Sequence, residues 1–467
     1  MSLPEPLIHL HLAQGVSLLE TGQGPPRLRA PWGDLALNEK APGLCAALRL
    51  LSGAGAPENR LTATVSEREG PEALARLHFH LGRLQQRGFL AYTARTAKAP
   101  LATWTPGSRA PLQLPRLSSG SPHVLSRFAY LRREESRFVL ESALSDERVV
   151  FHDWRARLLC LELSEAMAPS RLPLEPCRLS RAEALGVCTL LLGAGMLVGT
   201  DAEADGGAES WEFHELLFHA RSRMGRHGRD KGFGATYHRG PHAPLPAVKP
   251  PMTDEHRPLP VPDLERLRAE DPPLAEVMER RRSIRTHGSI PLTEAQLGEF
   301  LYRTARVRST VDSPRGQFSS RPYPGAGGCY ELELYLSIST CQGLEPGLYH
   351  YDPGAHRLVR LSGMTAEVER LLQQATLDPG ATPPQVLITL AARFQRMFWK
   401  YESMAYALIL KDVGVLYQSM SLAAAAMGLA ACALGHGSPD AFAEATGLER
   451  HSEASVGELI LGSAPEE

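Results

Sequence analysis

The stretch "GPHAPLPAVKPPMTDEHRPLPVPD" (240–263) constrains the fold more than any other, with eight prolines between Pro241 and Pro262. Each proline fixes φ and lacks an N–H, so neither a helix nor a central strand can run through it. An extended, semi-rigid connector is expected over 236–265. It divides the 467-residue chain into an N-terminal half and a C-terminal half. At roughly 150 residues per domain, about three domains are expected.

Composition excludes several classes. Hydrophobic residues make up 43% and charged residues 22%, an ordinary globular balance. The formal net charge of −2 gives no global attraction for nucleic acid or an acidic membrane. The seven cysteines (45, 160, 177, 188, 329, 341, 432) include no C-x-x-C pair and are odd in number, which points to reduced thiols in a cytoplasm. "MSLPEPLIHLHLAQG" lacks the basic and apolar runs of a signal peptide. "ALGVCTLLLGAGMLV" (184–198) is shorter than the ~20 residues that cross a bilayer and reads as a buried helix.

The N-terminal half holds a loose duplication. "APWGDLALNEKAPGLCAALRLLSG" leads to "EALARLHFHLGRLQQRGFLAYTART", and "RFVLESALSDERVVFHDWRARLLCLEL" leads to "AEALGVCTLLLGAGMLVG". Each passes from a short strand through helices to an apolar helix ending at glycine. Leu74, Leu77, Leu81 and Leu84 recur at helical spacing, Gly88 supplies a stop, and "FLAYTA" reads as a strand. Two winged-helix-like units are expected, over 1–110 and 121–235. The final helix of the first offers only Arg76, Arg83 and Arg87 as cations. That is thin for a face that reads phosphates, so peptide or partner recognition is preferred over DNA.

"WEFHELLFHARSRMGRHGRDKG" (211–232) superficially resembles a zinc-protease helix. His214 and His219 are five apart, roughly 140° around a helix, so they cannot grip one metal. No metal site is expected. Arg221, Arg223, Arg226, Arg229 and Lys231 read as a solvated or interface patch, or a contact for an acidic peptide.

Beyond the linker, "ERRRSIRTHG" places Arg281, Arg282, Ser283 and Arg285 together. Guanidinium forks and a hydroxyl suit a phosphate, although a surface basic run fits the spacing equally well. Thr293 and Gln296 form a capping box for a helix whose apolar face is Leu297, Phe300 and Leu301. "PYPGAGG" precedes an alternating strand of Leu332, Leu334, Leu336 and Ile338. A Rossmann fingerprint needs the opposite order, so NAD bound in that manner is excluded. The glycines would still let backbone amides approach a flat ligand. "MAYALILKDVGVLYQSMSLAAAAMGLAACALGHG" (404–437) reads as one long buried helix ending at Gly435 and Gly437, with Asp412 and Gln418 its strongly polar members. "ASVGELILGSA" reads as a last strand. Just ahead of the long helix, Lys400 and Tyr401 stand among Met397, Phe398, Trp399 and Met404. A lysine that merely snorkels would explain this, as would a catalytic pair.

The ordered set "RRRSIR", "RPYPGAGG", "YELELYL", "GLYHYDP", "FWKYE", "VGVLYQSMSLAAAAMGLAACALG" and "VGELILG" resembles the nitroreductase-like flavoprotein superfamily over about 275–463. More narrowly it resembles the SagB-type dehydrogenases, the thiazole- and oxazole-forming enzymes of ribosomal peptide maturation. The resemblance implies an α+β fold: a nitroreductase-like FMN domain over 266–467, preceded by the two winged-helix-like units. It implies a homodimer with FMN at the interface. Arg281, Arg282, Ser283 and Arg285 would hold the phosphate and ribityl chain. Pro324, Gly325, Ala326, Gly327 and Gly328 would line the flavin ring, with Gln418, Gly435 and Gly437 as further contacts. Relatives often carry serine where this chain has Gly325. Lys400 and Tyr401 would remove the proton when an azoline loses a hydride to the flavin. The implied substrate is a precursor peptide already cyclised by an ATP-dependent cyclodehydratase. A general NAD(P)H-dependent nitro or quinone reductase, and a non-catalytic winged-helix scaffold or regulator, are the competing expectations.

Overall fold

The computed structural model describes residues 3–19, 24–107, 114–200, 202, 207–223, 238, 242–314, 316–376 and 382–466. The chain forms two units, Met1–Phe233 and Gly234–Glu467.

In the first unit, six antiparallel strands form one sheet in the order Ile8–Leu12, Leu90–Arg95, Pro100–Thr105, Arg148–Phe151, Arg137–Ser142, Ala129–Glu134. The first three strands lie within residues 1–110 and the last three within 121–235. The two sets join where Val149 pairs with Trp104 and Val150 with Thr103. They therefore share one core, in which Leu77, Leu81 and Leu84 from the Leu74–Gln86 helix meet Leu185, Val187 and Leu191 from the Arg181–Gly193 helix. The first of these helices stops as its glycine suggests, with Gly88 at φ +73°. The apolar stretch 184–198 is divided, its helix ending at Gly193 before a short Leu197–Gly199 strand.

In the second unit, seven antiparallel strands run in the order His256–Pro258, Arg357–Ser362, Gly347–Asp352, Leu332–Ile338, Val386–Arg393, Glu453–Ser463, Leu429–Leu434. Side chains alternate across a sheet, and both faces are covered. Leu332, Leu334, Leu336 and Ile338 join Phe300 and Ile409 on one face, while Tyr335 joins Val368 and Phe442 on the other. The capping box forms as expected: Thr293 accepts from the Gln296 amide and opens the Glu294–Ala305 helix. The long helix is shorter than its composition suggests. It spans Ala405–Ala426, Gly428 turns the chain at φ +65°, and Leu429–Leu434 becomes an edge strand.

Of the proline-rich segment, residue 238 and residues 242–265 are described. It is laid along the second unit, and His256–Pro258 pairs at the sheet edge, where a proline is tolerated. Lys249 Nζ donates to Tyr335 Oη and Glu453 Oε2, both at 2.6 Å, and the Tyr335 hydroxyl donates to Glu453 Oε1 at 2.6 Å. All three groups are shielded from water, so removing one charge strands the other. Lys249→Met should destabilise the second unit by about 3 kcal/mol in urea unfolding, whereas an exposed lysine such as Lys411 should be nearly neutral when replaced.

Candidate active site at the glycine turn

Residues 324–328 form a tight turn between the Gly316–Ser320 and Leu332–Ile338 strands. Gly327 (φ +56°) and Gly328 (φ +68°) adopt the left-handed conformation that side chains disfavour. Gly325 has an ordinary backbone, but a β-carbon there would lie 2.9 Å from the Tyr330 ring. Tyr330 itself has φ +47° and donates to the Tyr323 carbonyl at 3.0 Å. A side chain at 325 would therefore require the Tyr330 ring to shift.

Lys400 and Tyr401 are brought to this turn. Lys400 Nζ donates to the Gly327 carbonyl at 2.6 Å and lies 5.0 Å from the Phe318 ring centre. A β-carbon on Gly327 would collide with Tyr401 Oη and Lys400 Nζ. Burial, with Cys329 and Asp412 nearby, pushes the Tyr401 phenol above its usual range, so it stays protonated at neutral pH.

Arg396, four residues earlier in the same stretch, sets this arrangement and was not singled out in the sequence. It is buried and donates to three backbone carbonyls: Cys329, Leu245 at 2.6 Å and Gln317 at 2.8 Å. Desolvation pulls it down to about 10, leaving it charged at neutral pH.

Behind the turn, Asp412 on the Ala405–Ala426 helix accepts the Ala326 amide with both oxygens, at 2.9 and 3.1 Å. It faces Glu331, a fully buried carboxyl with no donor in hydrogen-bond geometry among the described residues. Burial and the neighbouring Asp412 push Glu331 up to about 8, and burial raises Asp412 too. The two acids therefore share a proton near neutrality. Asp412 could be noticed as a polar residue in an apolar helix. Glu331 could not, because it meets Asp412 only in the tertiary fold.

The basic segment lies elsewhere on the second unit's surface. The Ile284 amide donates to the Ala431 carbonyl, which sets 281–285 along the Leu429–Leu434 edge strand. Arg282, Ser283 and Arg285 are exposed, and Arg281 is half-buried. Among the described residues none of the three arginines is paired with a carboxylate. Gly435 and Gly437 follow the same strand, and Gln418 is exposed on the long helix. Lys400 and Tyr401 thus meet the turn, whereas the basic segment runs beside the Leu429–Leu434 strand and Gly435 and Gly437 follow that strand's end.

In the first unit, His214 and His219 share the Phe213–Arg221 helix, and no group of described His, Cys, Asp or Glu side chains is placed to hold a metal. Arg221 is engaged by Tyr130 at 3.0 Å; Arg226, Arg229 and Lys231 lie outside the described residues. No described helix is long and apolar enough to cross a membrane. All seven cysteines are buried and free.

Three family models match in chain order: the ThcOx helix-turn-helix domain over 6–114, the cyanobactin oxidase ThcOx over 123–228, and the nitroreductase family over 278–463. "Putative nitroreductase MJ1384" of Methanocaldococcus jannaschii is 32% identical over 177 residues, covering 38% of this chain and 82% of the relative. The trifolitoxin-processing protein TfxB of Rhizobium leguminosarum is 24% identical over 132 residues, covering 27% of this chain and 35% of TfxB. A Ralstonia eutropha crystal structure described in the same words as the first relative has a TM-score of 0.38 at 22% identity, covering 48% of this chain and 97% of that one. The α+β second unit and its matches define an oxidoreductase. The chain belongs to the nitroreductase family. Its N-terminal half carries the two ThcOx matches, in agreement with the SagB-type resemblance.

The acid pair generates a pH test. The native Glu331 carboxyl keeps its proton to higher pH than the unfolded chain does. The native state therefore binds more protons between about 4.5 and about 8, and stability falls as pH rises through that window. Glu331→Gln should flatten this fall by roughly 2 kcal/mol or more, measured by denaturant unfolding across the same pH range.

Proposed function

We propose that the protein oxidises thiazoline or oxazoline rings to thiazoles or oxazoles in a ribosomally made precursor peptide, using FMN. The observation that carries the reading is the convergence of Lys400 and Tyr401 on the glycine turn. The residues present fit the cofactor. Arg281, Arg282 and Arg285, unpaired with any described carboxylate, together with Ser283, suit its phosphate. The turn 324–328, bare of β-carbons where Lys400 and Tyr401 meet it, suits the edge of a flat ring. Gln418, Gly435 and Gly437 are further contacts in this reading.

When bound, FMN supplies the hydride acceptor. The chain's own task is the proton. Lys400 Nζ, once deprotonated, receives it from the ring carbon next to the one that loses hydride. Its hydrogen bond to the Gly327 carbonyl keeps that nitrogen at the turn. Tyr401 Oη, still protonated, donates a hydrogen bond that orients the substrate. Arg396 holds the turn and this pair in register.

The names of the matched families and of TfxB support a peptide substrate. An ATP-dependent cyclodehydratase would supply the azoline, and the N-terminal half would recognise the leader peptide or that partner. A homodimer is part of the reading. Tyr406 and Leu410 sit one turn apart on the long helix and stay exposed, while Ile409 and Val413 are buried.

The purified protein should show oxidised-flavin absorption bands, and heat should release FMN. A colourless protein that takes up no added FMN would sink this reading, and rapid bleaching by NADPH would favour a general reductase. Lys400→Ala should keep its flavin and lose roughly 10²–10⁴-fold in azoline oxidation. Normal turnover by that variant would remove the lysine from the mechanism. Light scattering should give a mass near twice the 50.9 kDa chain, falling to that of one chain in Leu410→Glu.

A further inference from the structure

The outer face of the first unit's sheet carries a pocket that the flavin reading does not use. Register puts its residues on one side. His9 pairs with Thr93, Thr93 with Thr103, and Thr103 with Val150. His11 lies two residues beyond His9, and His152 two beyond Val150, so alternation brings both histidines to the same face. Their neighbours Leu10, Leu12, Ala94, Ala102 and Phe151 point into the core. The pocket is open, about 280 Å³, and Arg95 completes its lining.

The hydrogen bonds have a direction. His11 Nδ1 lies 2.8 Å from the Leu12 carbonyl, which can only accept, so Nδ1 carries the proton. His11 Nε2 then accepts from the Thr93 hydroxyl at 2.6 Å, Thr93 from Thr103 at 2.7 Å, and Thr103 from His152 Nε2 at 2.9 Å. His9 Nδ1 is shielded from solvent without a hydrogen-bond partner among the described residues, although the Gly55 backbone favours its charged form.

Among the described residues, the permanent charges acting on these histidines are all cations: Arg95 and Arg60 on His9, Arg95 on His11 and Arg137 on His152; His11, neutral here, would add the same sign to the other two on protonation. Asp153, next in sequence, is engaged by Arg155 at 2.8 and 3.0 Å. Arg95 donates to the Thr96 and Ala54 carbonyls and pairs with no described carboxylate. A metal ion would be repelled. An anion would supply the charge that is missing.

We propose that this pocket binds a small oxyanion, a carboxylate or phosphate group, held by Arg95 and by histidines that take up a proton as it enters. Burial lowers all three histidines first, with the arginines adding to it, so the pocket is neutral at its imidazoles when empty. An anion reverses this, and protonated His11 then donates from Nε2. Binding is therefore coupled to proton uptake and tightens as pH falls.

Calorimetry on the full chain tests it, with inorganic phosphate and N-acetylglutamate α-amide as separate probes. Binding of phosphate alone points to a free phosphate, binding of the amide alone to an acidic side chain of a peptide, and both support the shared chemistry. Arg95→Gln and His11→Gln should each weaken binding about tenfold. Arg133→Gln, an exposed arginine on the Ala129–Glu134 strand with no place in either site, should leave it unchanged. For the wild type, sulfate or the glutamate amide keeps constant charge between about pH 7.5 and about pH 6, and affinity should rise by up to about tenfold per pH unit. Failure of both probes overturns the proposal. So does affinity that is flat with pH, or binding that is kept in Arg95→Gln.

Discussion

A guanidinium buried among three backbone carbonyls organises the C-terminal half. Taking a charge out of water is costly unless its donors are all used. Arg396 offsets that cost by giving each of its three nitrogens a carbonyl partner, those of Leu245, Gln317 and Cys329. Those carbonyls belong to the proline-rich segment, the hairpin before the glycine turn, and the chain just after that turn. A planar fork reaches three directions at once, which an ammonium on a flexible stem does less well. The prolines help. They keep 242–251 out of the sheet ladder, so its carbonyls are free for side chains, and Arg393 takes the Pro246 carbonyl at 3.0 Å in the same way. Because Arg396 precedes Lys400 by four residues, the same clamp that fastens the segment also aims the lysine.

The turn between these groups is held at both ends. Asp412 takes the amide of Ala326 from behind, and Lys400 gives a hydrogen bond to the carbonyl of Gly327 from in front. Two glycines in the left-handed region would otherwise leave it many conformations. The cost of this anchoring is a pair of buried acids. Glu331 and Asp412 cannot both ionise comfortably, so one proton stays between them. Tyr330, at positive φ, completes the support by filling the space a side chain at 325 would need.

Local chemistry was legible in the sequence and long-range chemistry was not. The capping box at Thr293, the stop at Gly88 and the alternation of Leu332 to Ile338 each depend on a few neighbouring residues, and each formed. The end of the long helix was missed because "LAACAL" is as apolar and small as the helix before it. Periodicity cannot tell a buried strand from a buried helix at that length. Lys400 and Tyr401 stood out by their apolar company, whereas Arg396 looked like an ordinary arginine. Its value comes from carbonyls 67, 79 and 151 residues away.

Sharing one sheet gives the N-terminal half more than stability. Each set of three strands alone would bury one face and leave two edges. Joining the Pro100–Thr105 and Arg148–Phe151 edges removes one from each and merges the cores. The alternation that sends Leu10, Ala94, Ala102 and Phe151 inward must send their neighbours outward, across both sets. Outward polar residues need no chemistry in common; threonines and lysines would satisfy solubility. Here they are three histidines and an arginine around two linked hydroxyls, drawn from three strands and the residue just past a fourth. "HLHL" at 9–12 already shows the outward pair. His152, just past the Arg148–Phe151 strand, reaches it only because that strand pairs with Pro100–Thr105, so the pocket exists as a consequence of the two strand sets joining in one sheet.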